Sequence, residues 1–300
     1  MPGARITVLG ATGSVGTKVV RRLLEGKAVV RVVGRDPKKL GALASRGAEI
    51  AGGDVGDAAF LARAFRRADA AFVMIPPSYD ARDLRSRQNA VGEAQARALR
   101  EARVPHAVFL SSVGAQRPER TGPILGLHDQ EERLKGQRGL NVLALRAAYY
   151  MENHLMGIGL VKGQGIYGTA LRADLPIPQI ATADIAVRAA DRLLETSFSG
   201  FSAEELLGPA DTTMAETAAT LGRAIGKPDL PYVAIPYESV EQALLGIGMS
   251  PSAAASLVEM HRAFNEGWIV PETPRSPART TPTTLEEFAR TVFAPAFRAT

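Results

Sequence analysis

Short apolar runs alternate with amphipathic stretches through the first half of this 300-residue chain. The runs Arg5–Leu9, Val29–Val33, Ala48–Ala51, Ala70–Ile75, His106–Leu110 and Asn141–Leu145 have strand length and are mostly apolar, the pattern of strands buried on both faces. Helical spacing fills the intervals: Lys18–Leu24, a segment opened by Asp57 with Phe60, Leu61, Ala64 and Phe65 on one face, Leu84–Arg103, and Gln130–Gln137. Regular alternation of this kind predicts an α/β fold, a Rossmann-type doubly wound parallel sheet, over residues 1–150. Ligands of such sheets sit beyond the carboxyl ends of the strands.

The second half changes character. Short strands are expected at Gly165–Tyr167, Ile177–Ile180, Leu206-Leu207 and Tyr232–Ile235. Helices dominate between them: Asp184–Leu194 capped by Thr182, Ala215–Ile225, Ser239–Leu245 and Ala253–Phe264. Residues 271–282 carry four prolines and read as an extended linker. Thr284 and Glu287 form a capping-box pattern before a last helix with Leu285, Phe288 and Val292 as its apolar face. Residues 151–300 therefore read as a smaller, mainly helical lobe that covers the cleft and is not an independent module.

Composition narrows the chemistry. The chain has no cysteine, which excludes disulfides, thiolate metal sites and cysteine nucleophiles. Its four histidines, 106, 128, 154 and 261, form no pair at metal-ligand spacing, so no metal is expected. The net charge of +5 is spread along the chain. Its densest patches, Arg63-Arg66-Arg67 and Arg82-Arg85-Arg87, have acidic neighbours and no interleaved aromatics, so they read as solvated helix faces with no specific nucleic-acid surface. No apolar stretch approaches the ~20 residues of a membrane span and no signal-peptide layout is present, so the cytoplasm is the expected compartment. Oligomeric state is left open.

The most informative stretch is the turn after the first strand, Gly10-Ala11-Thr12-Gly13-Ser14-Val15-Gly16. Glycines there permit a tight turn, close approach of backbone N–H groups to a pyrophosphate, and close helix–strand packing. The following helix N-terminus adds unpaired donors and partial positive charge. About 20 residues on, where the adenosine ribose is read, the chain places Arg35, with Lys38 and Lys39 close behind. A guanidinium there pairs with a 2′-phosphate, which favours NADP over NAD. Asp36 is the discordant residue, and NAD stays possible.

These motifs resemble those of the NmrA-like family, which are atypical short-chain dehydrogenase/reductases. The resemblance is carried in order by Gly10–Gly16, Arg35-Asp36-Pro37, Ser111-Ser112-Val113-Gly114-Ala115, His128 with Glu131 or Glu132, and Tyr150-Met151-Glu152-Asn153. It continues through Ala181–Ala186 and Thr283–Phe288 and so covers nearly the whole chain. It implies NAD(P)(H) binding by Gly10, Thr12, Gly13, Ser14, Val15 and Gly16, by Arg35, Lys38 and Lys39, by Asp54 and Val55, and by Ile75, Pro76 and Pro77. It also implies that Tyr149, Tyr150 and Asn153 lie at the nicotinamide end. Members include quinone and azo-type reductases acting on small molecules, and regulators that sense NADP redox state and act through a protein partner. A nicotinamide-dependent isomerase or epimerase is a further alternative.

The residues sharpen this. Ordinary short-chain dehydrogenases pair a tyrosine with a lysine four residues later, which lowers the phenol pKa. No tyrosine here has that lysine: Tyr149 is followed by Asn153 and Tyr150 by His154. Ser111 and Ser112 lack a nucleophile-elbow setting, which argues against a hydrolase. The catalytic group is therefore unassigned, with His128 and Tyr150 as candidates. Hydride transfer to an easily reduced, quinone-like acceptor needs no strong general acid, and a reductase of that kind is the expected function.

Overall fold

Strand β1 (Arg5–Val8) runs into the glycine turn, and helix α1 (Gly16–Glu25) leaves it. The alternation continues through β2 (Val29–Gly34), α2 (Pro37–Ala44), β3 (Glu49–Gly52), α3 (Ala58–Ala64), β4 (Ala70–Met74), α4 (Leu84–Glu101), β5 (His106–Ser112), α5 (Leu125–Lys135) and β6 (Asn141–Ala147). This computed structural model describes residues 3–300. Beyond β6 follow β7 (Tyr149–Tyr150), α6 (Ile158–Gln164), β8 (Tyr167–Thr169), β9 (Ile177–Ile180), α7 (Thr182–Glu195), β10 (Phe201–Leu206), β11 (Asp211–Thr212), α8 (Met214–Ala224), β12 (Tyr232–Ala234), α9 (Tyr237–Gly246), α10 (Pro251–Asn265), α11 (Leu285–Phe288) and α12 (Ala294–Ala299).

Seven parallel strands form one sheet in the order β10-β6-β5-β4-β1-β2-β3. Ile6 of β1 faces Val30 of β2 on one side and Ala70 of β4 on the other. Side chains alternate across the sheet. Ile6, Val8, Val30, Val32, Phe72 and Val108 pack with Val19, Val20 and Leu23 of α1 and with Ile185 and Ala189 of α7. Ala71, Val73, Phe109 and Val142 pack with Leu61 of α3, Leu99 of α4 and Leu134 of α5. Both faces are covered, which is why the strands read as unbroken apolar runs. Strand order reverses between β1 and β4, and the crevice of a doubly wound sheet opens there.

The chain recrosses residue 150. Strand β10 extends the sheet along six residues, from Phe201 against Val142 to Leu206 against Ala147, and α7 packs beside α1. The sequence pattern marks only Leu206-Leu207 as strand. Its polar members Ser202, Glu204 and Glu205 hide the rest, and an edge strand tolerates them. The remaining lobe has its own core, in which Met151, Val161, Tyr167, Leu221, Phe288 and Phe293 meet.

Other differences from the sequence expectation have local causes. Helix α5 starts at Leu125 behind a 3-10 turn at Gly122–Ile124, so His128 lies inside the helix and Ser111 and Ser112 end β5. Gly165 is the left-handed cap of α6, which delays β8 to Tyr167. Thr182 is the first residue of α7 and not its cap. A π turn at Ala289–Phe293 shifts the apolar face of the last helix, so Phe288 and Phe293 are buried while Val292 is exposed. Residues 271–282 contain no helix or strand and run along the ends of β6 and β10. Arg146 there meets Glu272, Glu205 accepts from the backbone of Glu272 and Thr273, and Leu207 donates to the Arg279 carbonyl. Among the described residues no helix is long and apolar enough to cross a membrane.

Candidate cofactor and substrate cleft

The glycine turn is preformed. Gly10 has φ +63°, and a Cβ there would lie 2.9 Å from Met74 Sδ. The Gly13 amide donates to the Gly10 carbonyl at 2.9 Å, and Thr17 Oγ1 donates to the Ala11 carbonyl at 2.9 Å. A Cβ on Gly16 would collide with the Gly10 carbonyl. Gly10 and Gly16 therefore serve the turn itself. Gly13 differs: it is exposed, and its Cβ would meet only the Gly10 oxygen, at 3.3 Å. Thr12 and Ser14 are exposed beside it, while Val15 and Gly16 are buried. Among the described residues no side chain caps α1; the Thr17 amide donates to the Gly13 carbonyl and the Lys18 amide to the Val15 carbonyl, both at 3.0 Å, so the donors left for an anion are those of the turn just before them.

At the tip of β2 the discordant carboxylate has another use. Asp36 caps α2, accepting from the Lys38 amide at 2.9 Å and the Lys39 amide at 3.3 Å. Arg35, Lys38 and Lys39 are exposed, and among the described residues their side chains make no hydrogen bond or ion pair. Three exposed cations together with the glycine turn fit a dinucleotide that carries an extra phosphate on its ribose. Asp54, at the end of β3, accepts from the Gly56 amide at 2.6 Å and lies 3.9 Å from Arg87, with Val55 half-buried beside it. Ile75 is buried at the end of β4, Pro76 is half-buried and Pro77 exposed. Gln95 fixes that strand exit by donating to the Met74 carbonyl at 2.9 Å.

At the end of β6, Tyr149 and Tyr150 form β7, and Asn153 is exposed three residues later. Burial raises both phenol pKa values. The Glu152 carboxylate and Tyr79 push Tyr150 up further, and Tyr232 does the same to Tyr149 against the opposing hydrogen bond from Asn153. The Tyr149 ring meets Phe264 of α10 edge-on at 6.3 Å. Glu152 bonds to the start of α7. Its two oxygens accept from the Thr182 amide at 3.1 and 3.0 Å, and Lys18 of α1 reaches Glu152 at 3.4 Å and Thr182 Oγ1 at 2.5 Å. It is thus a remote cap for α7 that ties the Tyr149–Asn153 segment to the helix after the glycine turn.

His154 is fully buried in a closed polar chain. Gln179 Nε2 donates to Thr217 Oγ1 at 2.9 Å and to the Thr212 carbonyl at 3.3 Å, so Gln179 Oε1 accepts from His154 Nε2 at 2.7 Å. His154 Nδ1 then accepts from the Tyr167 hydroxyl at 2.6 Å. Burial pushes its pKa down to about 4, outweighing the hydrogen bond it donates to Gln179. It is a neutral core residue and no ligand.

The β5 and β6 ends hold what the sequence pattern does not reveal. Ser111 donates to Glu131 Oε1 at 2.5 Å. Arg146 grips the same carboxylate in a fork, Nε to Oε1 at 3.0 Å and Nη2 to Oε2 at 2.6 Å, and sends Nη1 to Glu272 at 2.7 Å. Arg146 and Glu131 side chains are 9% and 3% exposed, so the pair is buried. Glu132 instead faces solvent with Lys135. The one signal for this network is an arginine inside the apolar run of β6, since a buried charge requires a partner. His128 Nδ1 donates to the Ala115 carbonyl at 2.8 Å, which leaves Nε2 for another partner.

A model of the NmrA-like family matches residues 2–289 of the chain. The NAD(P)H azoreductase of Xenophilus azovorans is 30% identical over 293 residues, covering 95% of this chain and 96% of its own. The NADPH complex of an NADPH-dependent quinone oxidoreductase from Escherichia coli has a TM-score of 0.79 at 23% identity, covering 96% of this chain and 99% of that one. The negative transcriptional regulator NmrA with NADP has a TM-score of 0.73 at 17% identity, covering 100% and 98%.

Proposed function

The chain belongs to the NmrA-like family, and we propose that it is an NADP(H)-dependent reductase acting on a quinone-like or other electrophilic small molecule. The observation that carries the cofactor choice is at the tip of β2. Three cationic side chains stand there with no hydrogen bond or ion pair among the described residues, while Asp36 Oδ1 is engaged as the cap of α2. The azoreductase and quinone oxidoreductase relatives support the reaction class.

In this reading the Gly10–Gly16 turn and the α1 N-terminus hold the pyrophosphate, and Arg35, Lys38 and Lys39 hold the ribose phosphate. Asp54, Val55 and Ile75–Pro77 line the adenosine side and the middle of the cofactor. Tyr149, Tyr150 and Asn153 border the nicotinamide end. When bound, the dinucleotide supplies a hydride. Both tyrosine phenols stay protonated at neutral pH, because burial raises their pKa values, and so act as hydrogen-bond donors. His128 is fixed through Nδ1 and presents Nε2 toward an acceptor atom. Ser111 is committed to Glu131, and no lysine lowers a tyrosine pKa, so the chain's own residues orient an electrophile more than they protonate it.

Steady oxidation of NADPH that depends on an added quinone is the expected result. No oxidation with any acceptor, together with different proteolysis patterns for the NADPH and NADP⁺ complexes, would instead favour a redox-sensing regulator.

A further inference from the structure

The loop leaving β5, residues 113–121, holds a cation with no counterion. Arg117 is half-buried and its Nε is fully buried with no hydrogen-bond partner. Its guanidinium stacks on the Trp268 ring, 4.4 Å from the ring centroid. Glu266, on the segment that carries Trp268, is engaged elsewhere, paired with Arg120. Glu119 gives its carbonyl to the Trp268 indole N–H at 2.9 Å, and no acidic side chain forms an ion pair with Arg117 among the described residues.

The loop is rigidly built. Gln116 accepts from the Gly114 amide at 3.0 Å and donates to the Val270 carbonyl at 3.1 Å, which fastens the loop to the segment carrying Trp268. Ala115, two residues before Arg117, anchors His128. The loop also lies on the β5 side of the switch point, opposite the β2 tip that bears Arg35. Arg117 therefore lies on the side of the sheet that carries His128 and not on the side of the β2 tip.

We infer that Arg117, held by Trp268, recognises an anionic substituent, such as a sulfonate, carboxylate or phosphate, on an aromatic acceptor. A planar guanidinium with a free fork suits such an oxyanion, and its stacked ring extends the platform to an adjoining aromatic system. The inference takes the acceptor from the reductase reading above, but the site rests on Arg117 and Trp268 themselves.

Trp268 is the only tryptophan in the chain, so its emission reports directly on this site. The test compares 1,4-naphthoquinone with its 2-sulfonate, read both by Trp268 quenching and by NADPH-dependent reduction. In the wild type the sulfonate binds more tightly. In Arg117→Gln its dissociation constant and KM rise about tenfold or more, while KM for the neutral quinone, kcat and NADPH affinity stay near wild type. Should Arg117→Gln fail to fold, Arg117→Lys carries the same comparison with a smaller loss of the same sign. Equal effects on both quinones, or no effect on either, overturn the proposal. If neither quinone is reduced by the wild type, the reductase reading fails, yet quenching still decides. Sulfonate-selective quenching that Arg117→Gln abolishes upholds the anion site, and its absence in the wild type removes it.

Discussion

The two ends of the cleft are built in opposite ways. At the β1–α1 turn, seven consecutive residues fix the geometry through the backbone: Gly13 bonds to Gly10, Gly10 holds a positive φ, and Gly16 leaves no room for a Cβ against the Gly10 carbonyl. At the ends of β5 and β6, Ser111, Glu131, Arg146 and Glu272 arrive from four separate segments and are held by side-chain charge. The first end carries its instructions locally. The second exists only after the sheet, α5 and the proline-rich segment have come together.

The largest way to break this comparison lies within the turn itself. Gly16→Val places a branched side chain on the Gly10 carbonyl, and a loss of more than about 4 kcal/mol, with no cooperative thermal transition, is expected. Gly13→Val keeps a folded sheet, because its Cβ meets a single oxygen at 3.3 Å, but fills the space a pyrophosphate needs. Calorimetry should find NADPH binding abolished. Unchanged affinity in folded Gly13→Val would sink the phosphate-turn reading.

The far end responds through charge. Glu131→Gln leaves Arg146 buried with only Glu272, whose side chain is 57% exposed, to neutralise it. Breaking a buried pair costs about 3–5 kcal/mol, and the remaining partner places this case near the lower figure. Urea denaturation measures it. Replacing both Glu131 and Arg146 by methionine should recover much of the loss, since no uncompensated charge remains. A single and a double variant of equal stability would show that packing, not charge, holds this end.

A comparable magnitude sits in the helical lobe and depends on pH. Folded His154 takes a proton only near pH 4, whereas an unfolded imidazole does so near about 6.5. The unfolded state therefore binds more protons between these values. The stability contributed by neutral His154 is complete above about pH 6.5 and is lost as pH falls toward 4, about 3 kcal/mol in all. His261, also pushed down to about 4 by burial, acts in the same direction. Between about pH 6.5 and 5 the two histidines together should contribute a slope of about 1.5 protons to the unfolding free energy of the wild type, and His154→Asn should lose about half of it. Identical slopes would refute the role of His154.

What was legible in the sequence follows the same division. The parallel sheet, the glycine turn and the cations after β2 could be read because each is a run of neighbours with one period or one purpose. Asp36 is ambiguous in the sequence, since an acidic residue at that place serves either a ribose or a helix N-terminus; the cap bonds from Lys38 and Lys39 to its Oδ1 appear only in the fold. The partners of Thr182 and His154 were illegible: Glu152 lies 30 residues from Thr182, and Gln179 lies 25 from His154. Strand β10 was seen only at its end, because an edge strand need not be apolar. The helical period puts Val292 on the apolar face, and the π turn inserts one residue that no such period anticipates.

The β2 tip sharpens the comparison at intermediate size. Arg35→Ala should weaken NADPH by about 1.5–3 kcal/mol, the loss of one charge-assisted contact, and leave NADH nearly unchanged. Lys38→Ala and Lys39→Ala should have smaller effects of the same sign. Equal losses for NADPH and NADH in calorimetric titrations would show that the three cations read something other than a ribose phosphate.

The smallest effects are expected where catalysis is usually sought. His128 donates Nδ1–H to a backbone carbonyl, and burial keeps the Tyr150 phenol from ionising, so neither is prepared as the acid–base partner that a tyrosine–lysine pair provides. Orientation of an electrophile survives loss of one hydrogen bond better than proton transfer survives loss of its acid. His128→Ala and Tyr150→Phe should therefore each lower kcat with a quinone by less than the ~10²-fold that marks a true general acid. NADPH affinity, measured separately, should hold in both. A fall of several orders of magnitude in either variant with cofactor affinity intact would place a proton donor at this end, and the substrate would then be a carbonyl that needs one.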